Sequence, residues 1–138
     1  SEVTEMAVRI SRLPGVRKRL VEIQRKSVPP EGVVMEGRDI GTKVFPDADL
    51  KIFLNASEEA RTRRRLKEDL GNGRDVSLEG VQFEINRRDR LDSQRKISPL
   101  VPAIDAINID STKLTVEQVV DEIIVLARER CAAKLRHV

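Results

Sequence analysis

The stretch VVMEGRDIGTKVFPDADLKIFLNA, residues 33–56, holds two short apolar runs of strand length, at 33–35 and 52–54. Glu36, Gly37, Arg38 and Asp39 follow the first run, with a second glycine at Gly41. The run at 52–54 is apolar at consecutive positions, the pattern of a strand buried on both faces in a parallel sheet. The arginine–aspartate pair reads in two ways. It is either a plain turn held by a structural ion pair, or a site for an anionic ligand.

Outward from this stretch, helical patterns alternate with strand-like ones. Val3, Met6, Ala7 and Ile10 have helical spacing, and Val16, Leu20 and Ile23 repeat it after Pro14-Gly15. Pro29-Pro30 stops that helix before a strand expected at 33–36. Ser57 is placed to cap a helix running to Gly71, with Glu58 and Glu59 complementing its N-terminal dipole. GNGRDVS reads as a loop, and a further helix is expected from about Ser77 to about Gln94, with Leu78, Val81 and Ile85 on one side. Ser98-Pro99 and Pro102 interrupt the order before a strand at 107–109. Thr115 and Gln118 form a capping box for the last helix, with Leu114 and Val119 at the staple positions. Val116, Val119, Val120, Ile123, Ile124 and Ala127 give that helix a broad apolar face.

This alternation predicts one α/β domain over 1–138, with a mainly parallel sheet flanked by helices. Ligands of such sheets bind beyond the carboxyl ends of the strands. Gly37-Arg38-Asp39, Asn55-Ala56-Ser57 and Asp110-Ser111 occupy those places.

The balance of 26 Lys+Arg against 23 Asp+Glu, net +3, is too mild for a strongly basic surface. Three Phe without Tyr or Trp leave few platforms for stacking bases, so no nucleic acid is expected as a partner. No stretch approaches 18 apolar residues and no leader pattern stands out, so no membrane is expected either. The single Cys131 fits a reducing cytoplasm. Cys131 and His137 read as surface or tail residues, and Thr42 as a turn-stabilising hydroxyl.

Two arginine clusters need an explanation. In EEARTRRRLKEDL, Arg61, Arg64 and Arg65 crowd one side of a helix, an arrangement an anion would relieve. In EINRRDRLDSQR, Arg88, Asp92 and Arg95 form a plus–minus–plus stripe at i, i+4 and i+7. Arginine suits bidentate phosphate contact, and a carboxylate between two arginines suits hydroxyls or amino groups. The plainer alternative is a solvated helix laced with ion pairs.

GRDIGTKVFPDADLKIFLNAS, then ARTRRR, RRDRLDSQRKISPLVPAIDAINIDST and a final helix opening LTVEQVV, resemble bacterial cytidylate kinase over roughly residues 1–130. That family is a P-loop nucleoside monophosphate kinase, a cytoplasmic enzyme of pyrimidine metabolism that makes CDP from CMP and ATP. The resemblance implies its fold, with a helical lid at about 61–95, and implies ATP with Mg2+ as cofactors. It implies that Arg17, Asp39 and Arg95 hold the cytosine, Arg88 and Asp92 the ribose, and Arg38 the CMP phosphate. Arg64 and Arg65 match the border of the lid, where an arginine closes on the ATP phosphates. Arg38, Arg64 and Arg65 are thus the catalytic candidates, Arg65 the cofactor-binding one, and no metal ligand is assigned.

Val8 stands where many members carry a serine near the base, and Glu36 replaces the first aspartate of the usual Asp-Gly-Arg-Asp. No Gly-x-x-x-x-Gly-Lys-[Ser/Thr] occurs in these residues. The expectation is a C-terminal portion of the kinase, inactive by itself. Its strands at 33–36 and 51–55 would flank an absent central strand, to be supplied by another segment, by different pairing or by chain association. The alternatives are a non-catalytic kinase-derived domain, an arginine-rich nucleic-acid-binding module, or a uridylate or adenylate kinase.

Overall fold

The computed structural model describes residues 3, 6, 9–10, 13–93 and 100–135, with the side chains at 92, 93 and 133–135 excepted. The elements in order are helix α1 (Pro14–Lys26), a π-helical turn (Ile40–Val44), strand β1 (Ile52–Asn55), helices α2 (Glu58–Gly71) and α3 (Leu78–Ser93), strand β2 (Ile107–Asp110) and helix α4 (Val116–Leu135). The helix starts follow local chemistry. Pro14 opens α1, where its missing N–H costs nothing and its fixed φ suits the first turn. The Ser57 hydroxyl accepts the Ala60 N–H at 3.2 Å and caps α2. The capping box before α4 is formed in full: Gln118 Oε1 accepts from the Thr115 N–H at 2.9 Å, and Thr115 Oγ1 from the Gln118 N–H at 3.2 Å.

β1 and β2 pair in parallel, with Ile52 opposite Ile107 and Asn55 opposite Asp110. Beyond Asn55 the Ser111 N–H and hydroxyl both donate to the Asn55 carbonyl, at 2.8 and 2.9 Å, and lock the strand ends together. α2 packs on α3, and α1 on the π-helical turn. The buried apolar side chains among the described residues are Val44, Ala56, Val81 and Ile109.

Two strand expectations are corrected. Residues 33–36 form no strand, and Val34 is fully exposed. A parallel strand exists only against a neighbouring strand, and among the described residues the sheet holds β1 and β2 alone. β1 is likewise not buried on both faces, since Leu54 is 55% exposed. Ile52 and Phe53 are half-buried, and Leu54 alone of the apolar run is exposed. The chain exposes 11074 Å², against about 7,300 Å² for a compact monomer of this mass.

Candidate functional site

Arg17 lies one turn into α1, and Asp39 immediately precedes the π-helical turn. The Arg17 guanidinium donates to the Asp39 carboxylate, which is buried. The turn fixes Asp39 from the other side, since its carbonyl accepts the N–H groups of Lys43 at 2.8 Å and Val44 at 3.3 Å. Thr42 donates its hydroxyl to the same carbonyl at 3.4 Å, the turn-stabilising role expected of it. Arg25, two turns beyond Arg17, donates to the carbonyls of Val44 at 2.7 Å and Lys43 at 2.9 Å. Two arginines of one helix therefore grip the two ends of one turn.

Beside the Arg17–Asp39 pair lies a cavity of about 160 Å³, walled by Arg17, Gln24, Glu36, Gly37, Arg38, Asp39 and Ile40. Three of the expected site residues, Arg17, Arg38 and Asp39, meet here. The lining combines the guanidinium groups of Arg17 and Arg38 with the Glu36 and Asp39 carboxylates and the Gln24 amide, a set suited to a polar ligand that carries both donors and acceptors. Gly37 serves a packing purpose too. A Cβ there would stand 2.8 Å from the Ile40 side chain, so the glycine lets the turn fold back tightly.

The other arginines sit elsewhere among the described residues. Arg64 donates to the Ser111 hydroxyl at 3.0 Å, the Ser111 carbonyl at 2.5 Å and the Leu114 carbonyl at 3.4 Å, clamping α2 onto the end of β2. Arg65 pairs with Glu68 at 3.2 Å and with the buried Asp69 at 3.0 Å. Arg61 joins α2 to α3 through Asp89 at 2.5 Å. The crowding of three arginines on α2 is relieved by their fanning out to separate partners. Arg88 lies exposed on α3. Asp92 belongs to the same helix, but its side chain, like Arg95, Val8 and His137, lies outside the described residues. Cys131 is exposed on α4.

Several carboxylates are held below their usual pKa range. Side-chain hydrogen bonds from Gln82 and Asn86 do this for Glu58, and the Lys51 ammonium for Asp105. The Thr112 hydroxyl and N–H do it for Asp110, where the strand ends are knitted together. Among the described residues no group of three acidic, histidine or cysteine side chains converges to hold a metal, and no helix is long and apolar enough to cross a membrane.

Gln24 and Arg25 carry much of this site and escaped the reading of the sequence. Their signal was helical periodicity, since Gln24 stands seven residues, two turns, after Arg17 and so shares its face.

The family model described as cytidylate kinase matches residues 1–129. The chain is 51% identical over 129 residues to a cytidylate kinase of Desulfitobacterium hafniense, covering 94% of this chain and 56% of the relative. It is 52% identical over 124 residues to one of Acholeplasma laidlawii, covering 90% and 56%. To one of Thermotoga petrophila it is 50% identical over 129 residues, covering 94% and 59%. The chain thus spans a little over half the length of the curated relatives it matches. With the Gly-Arg-Asp segment walling a cavity and two parallel strands in an α/β framework, the chain belongs to the cytidylate kinase family of P-loop nucleoside monophosphate kinases.

Proposed function

We propose that the protein to which these residues belong transfers the γ-phosphoryl group of ATP to CMP or dCMP in the cytoplasm, yielding CDP or dCDP and ADP. The observation that carries this reading is the cavity that gathers Arg17, Arg38 and Asp39, in a chain about half identical to proteins named cytidylate kinase. Cytosine offers a ring nitrogen and a carbonyl as acceptors and an amino group as donor, and Arg17 with Asp39 supplies the complements. Arg38 takes the CMP phosphate. Arg95 completes the hold on the base, and Arg88 and Asp92 take the ribose hydroxyls.

In the transfer, an oxygen of the CMP phosphate bonds to the γ-phosphorus as the bond to ADP breaks. Arginines placed beforehand meet the charge that spreads over the equatorial oxygens. Arg64 and Arg65 serve this purpose from the lid, Arg65 toward ATP. To do so each exchanges its present partners, Ser111 and Leu114 for one, Glu68 and Asp69 for the other. Magnesium bound to ATP supplies charge neutralisation in such kinases. The described residues assemble no site for it and residues 1–138 hold no P-loop sequence, so neither the metal nor the ATP cradle is assigned to them.

The test is ADP release by the full-length protein with CMP, dCMP, UMP or AMP as acceptor. Turnover of CMP and dCMP far above that of AMP is expected. Equal use of AMP, or none of CMP, overturns the reading.

A further inference from the structure

Gln24 has a feature that the Arg17–Asp39 pair does not explain. Its side-chain Oε1 is buried and accepts no hydrogen bond, although the residue walls the 160 Å³ cavity. The Nε of Arg17, on the same wall, is also buried and unpartnered. Buried amide oxygens are nearly always satisfied, and an orphan on a cavity wall points to a partner that arrives from outside the chain. The position of Gln24 is not slack. It precedes Arg25, whose guanidinium is fixed on the Lys43 and Val44 carbonyls, and it follows by two turns Arg17, which is fixed on Asp39.

The chemistry of the missing partner follows from its surroundings. An amide oxygen repels phosphate oxygens and accepts only N–H or O–H. Asp39 accepts from Arg17 and can take one hydrogen of a ligand amino group, and the Gln24 oxygen is a further acceptor for the second hydrogen. Resting on the acceptor-site reading above, we infer that Gln24 is a specificity-determining residue whose side-chain oxygen accepts the exocyclic amino group of cytosine. Uracil presents a carbonyl oxygen at that position, which the Gln24 oxygen repels, so Gln24 meets it only by turning its amide over. A ribose hydroxyl is the competing source of a donor, and CMP and UMP share it.

The experiment compares Gln24→Leu with wild type in the full-length protein, measuring kcat/KM for CMP and for UMP. Leucine keeps the volume and removes the acceptor. The expected result is a fall of about tenfold for CMP, the loss of one buried hydrogen bond, with UMP changed less than about threefold. An equal fall for both nucleotides assigns the donor to the ribose and overturns the inference, as does no fall for either. If the variant is inactive with both, the side-chain amide resonance of Gln24 in the wild-type protein decides. A shift on adding CMP that UMP does not reproduce upholds the inference, and no shift, or the same shift with both, overturns it. A wild-type protein that does not use CMP at all removes the acceptor-site reading itself, and this inference with it.

Discussion

Arg17 and Asp39, 22 positions apart, meet as a guanidinium–carboxylate pair in which the Asp39 side chain is 5% exposed and that of Arg17 21%. The pair ties helix α1 to the π-helical turn, and both residues wall the cavity. Such a pair has two consequences at once, because removing either member strands the other. Asp39→Ala is expected to lower kcat/KM for CMP by an amount equivalent to about 2–4 kcal/mol in the full-length protein. Steady-state kinetics checks this, and an unchanged kcat/KM would remove Asp39 from the acceptor site.

Arg64 is bound through three oxygens at the end of β2. Arg64→Ala should destabilise the chain by about 1–3 kcal/mol, and Arg64→Lys by nearly as much, since an ammonium lacks the planar fork. Urea unfolding reads the loss. If Arg64 also moves to phosphate during turnover, the Ser111 amide should exchange faster in the presence of ATP and CMP than without them. Identical exchange in both states would leave the clamp as its sole role.

The loop between α2 and α3 turns at Gly73, whose φ is +71°. An added Cβ meets no neighbour there, so Gly73→Ala suffers only from the left-handed backbone, about 1–2 kcal/mol. The expected outcome is a lower Tm with faster amide exchange across about 61–95, the segment proposed as a lid. That segment should in any case exchange faster than residues 52–54 before nucleotide is added. Equal protection of the two would argue against a lid.

Glu58 accepts from Gln82 at 2.7 Å and from Asn86 at 3.0 Å, joining the start of α2 to α3. These bonds favour the ionised carboxylate and hold its pKa below 4.5. Their contribution to stability is therefore complete above that ordinary value and is lost as pH falls through the lower folded-state value. An NMR titration should show the Glu58 carboxyl protonating below the usual glutamate range, and Gln82→Ala should bring it back. An unshifted titration in the parent would contradict the link.

The 138 residues alone should show no conversion of CMP to CDP and at most weak, salt-sensitive binding of CMP. Among the described residues, 33–36 form no strand and β1 pairs with β2 alone, and the exposed area exceeds that of a compact domain. A site resting on such a framework drifts, and a displacement near 1 Å already costs about a hundredfold in rate. Steady turnover by the purified chain, free of host kinase, is the result that would refute this.

What the sequence made legible was local. The Thr115–Gln118 box and the Ser57 cap depend on residues three apart and formed as read. Both strands of the sheet were marked by their apolar runs. The segment at 33–36 carried the same marking and formed no strand, because pairing depends on a neighbour and not on propensity. Around the cavity, Arg38 and Asp39 were marked by their place after an apolar run and Arg17 by the resemblance, whereas Gln24 and Arg25 looked like an ordinary polar helix face. The π-helical turn has no periodicity of its own to read, being a single widened turn set by long-range grips. Nor did the spacing of Arg61, Arg64 and Arg65 reveal that each would find a different acceptor.

The π-helical turn makes chain length at 40–44 matter more than composition. Its closing bond runs from the Phe45 N–H to the Ile40 carbonyl at 2.7 Å, one residue wider than an α turn. Deleting a single residue from this segment would let it relax to an α turn, and each residue of helix corresponds to about 100° of rotation. Asp39 would then swing off the Arg17 side, and Arg25 would lose the carbonyls of Lys43 and Val44 in the same step. Substituting exposed Lys43 leaves both grips in place, because its carbonyl and N–H make the contacts. The segment thus accepts changes of side chain and resists any change in the number of its residues.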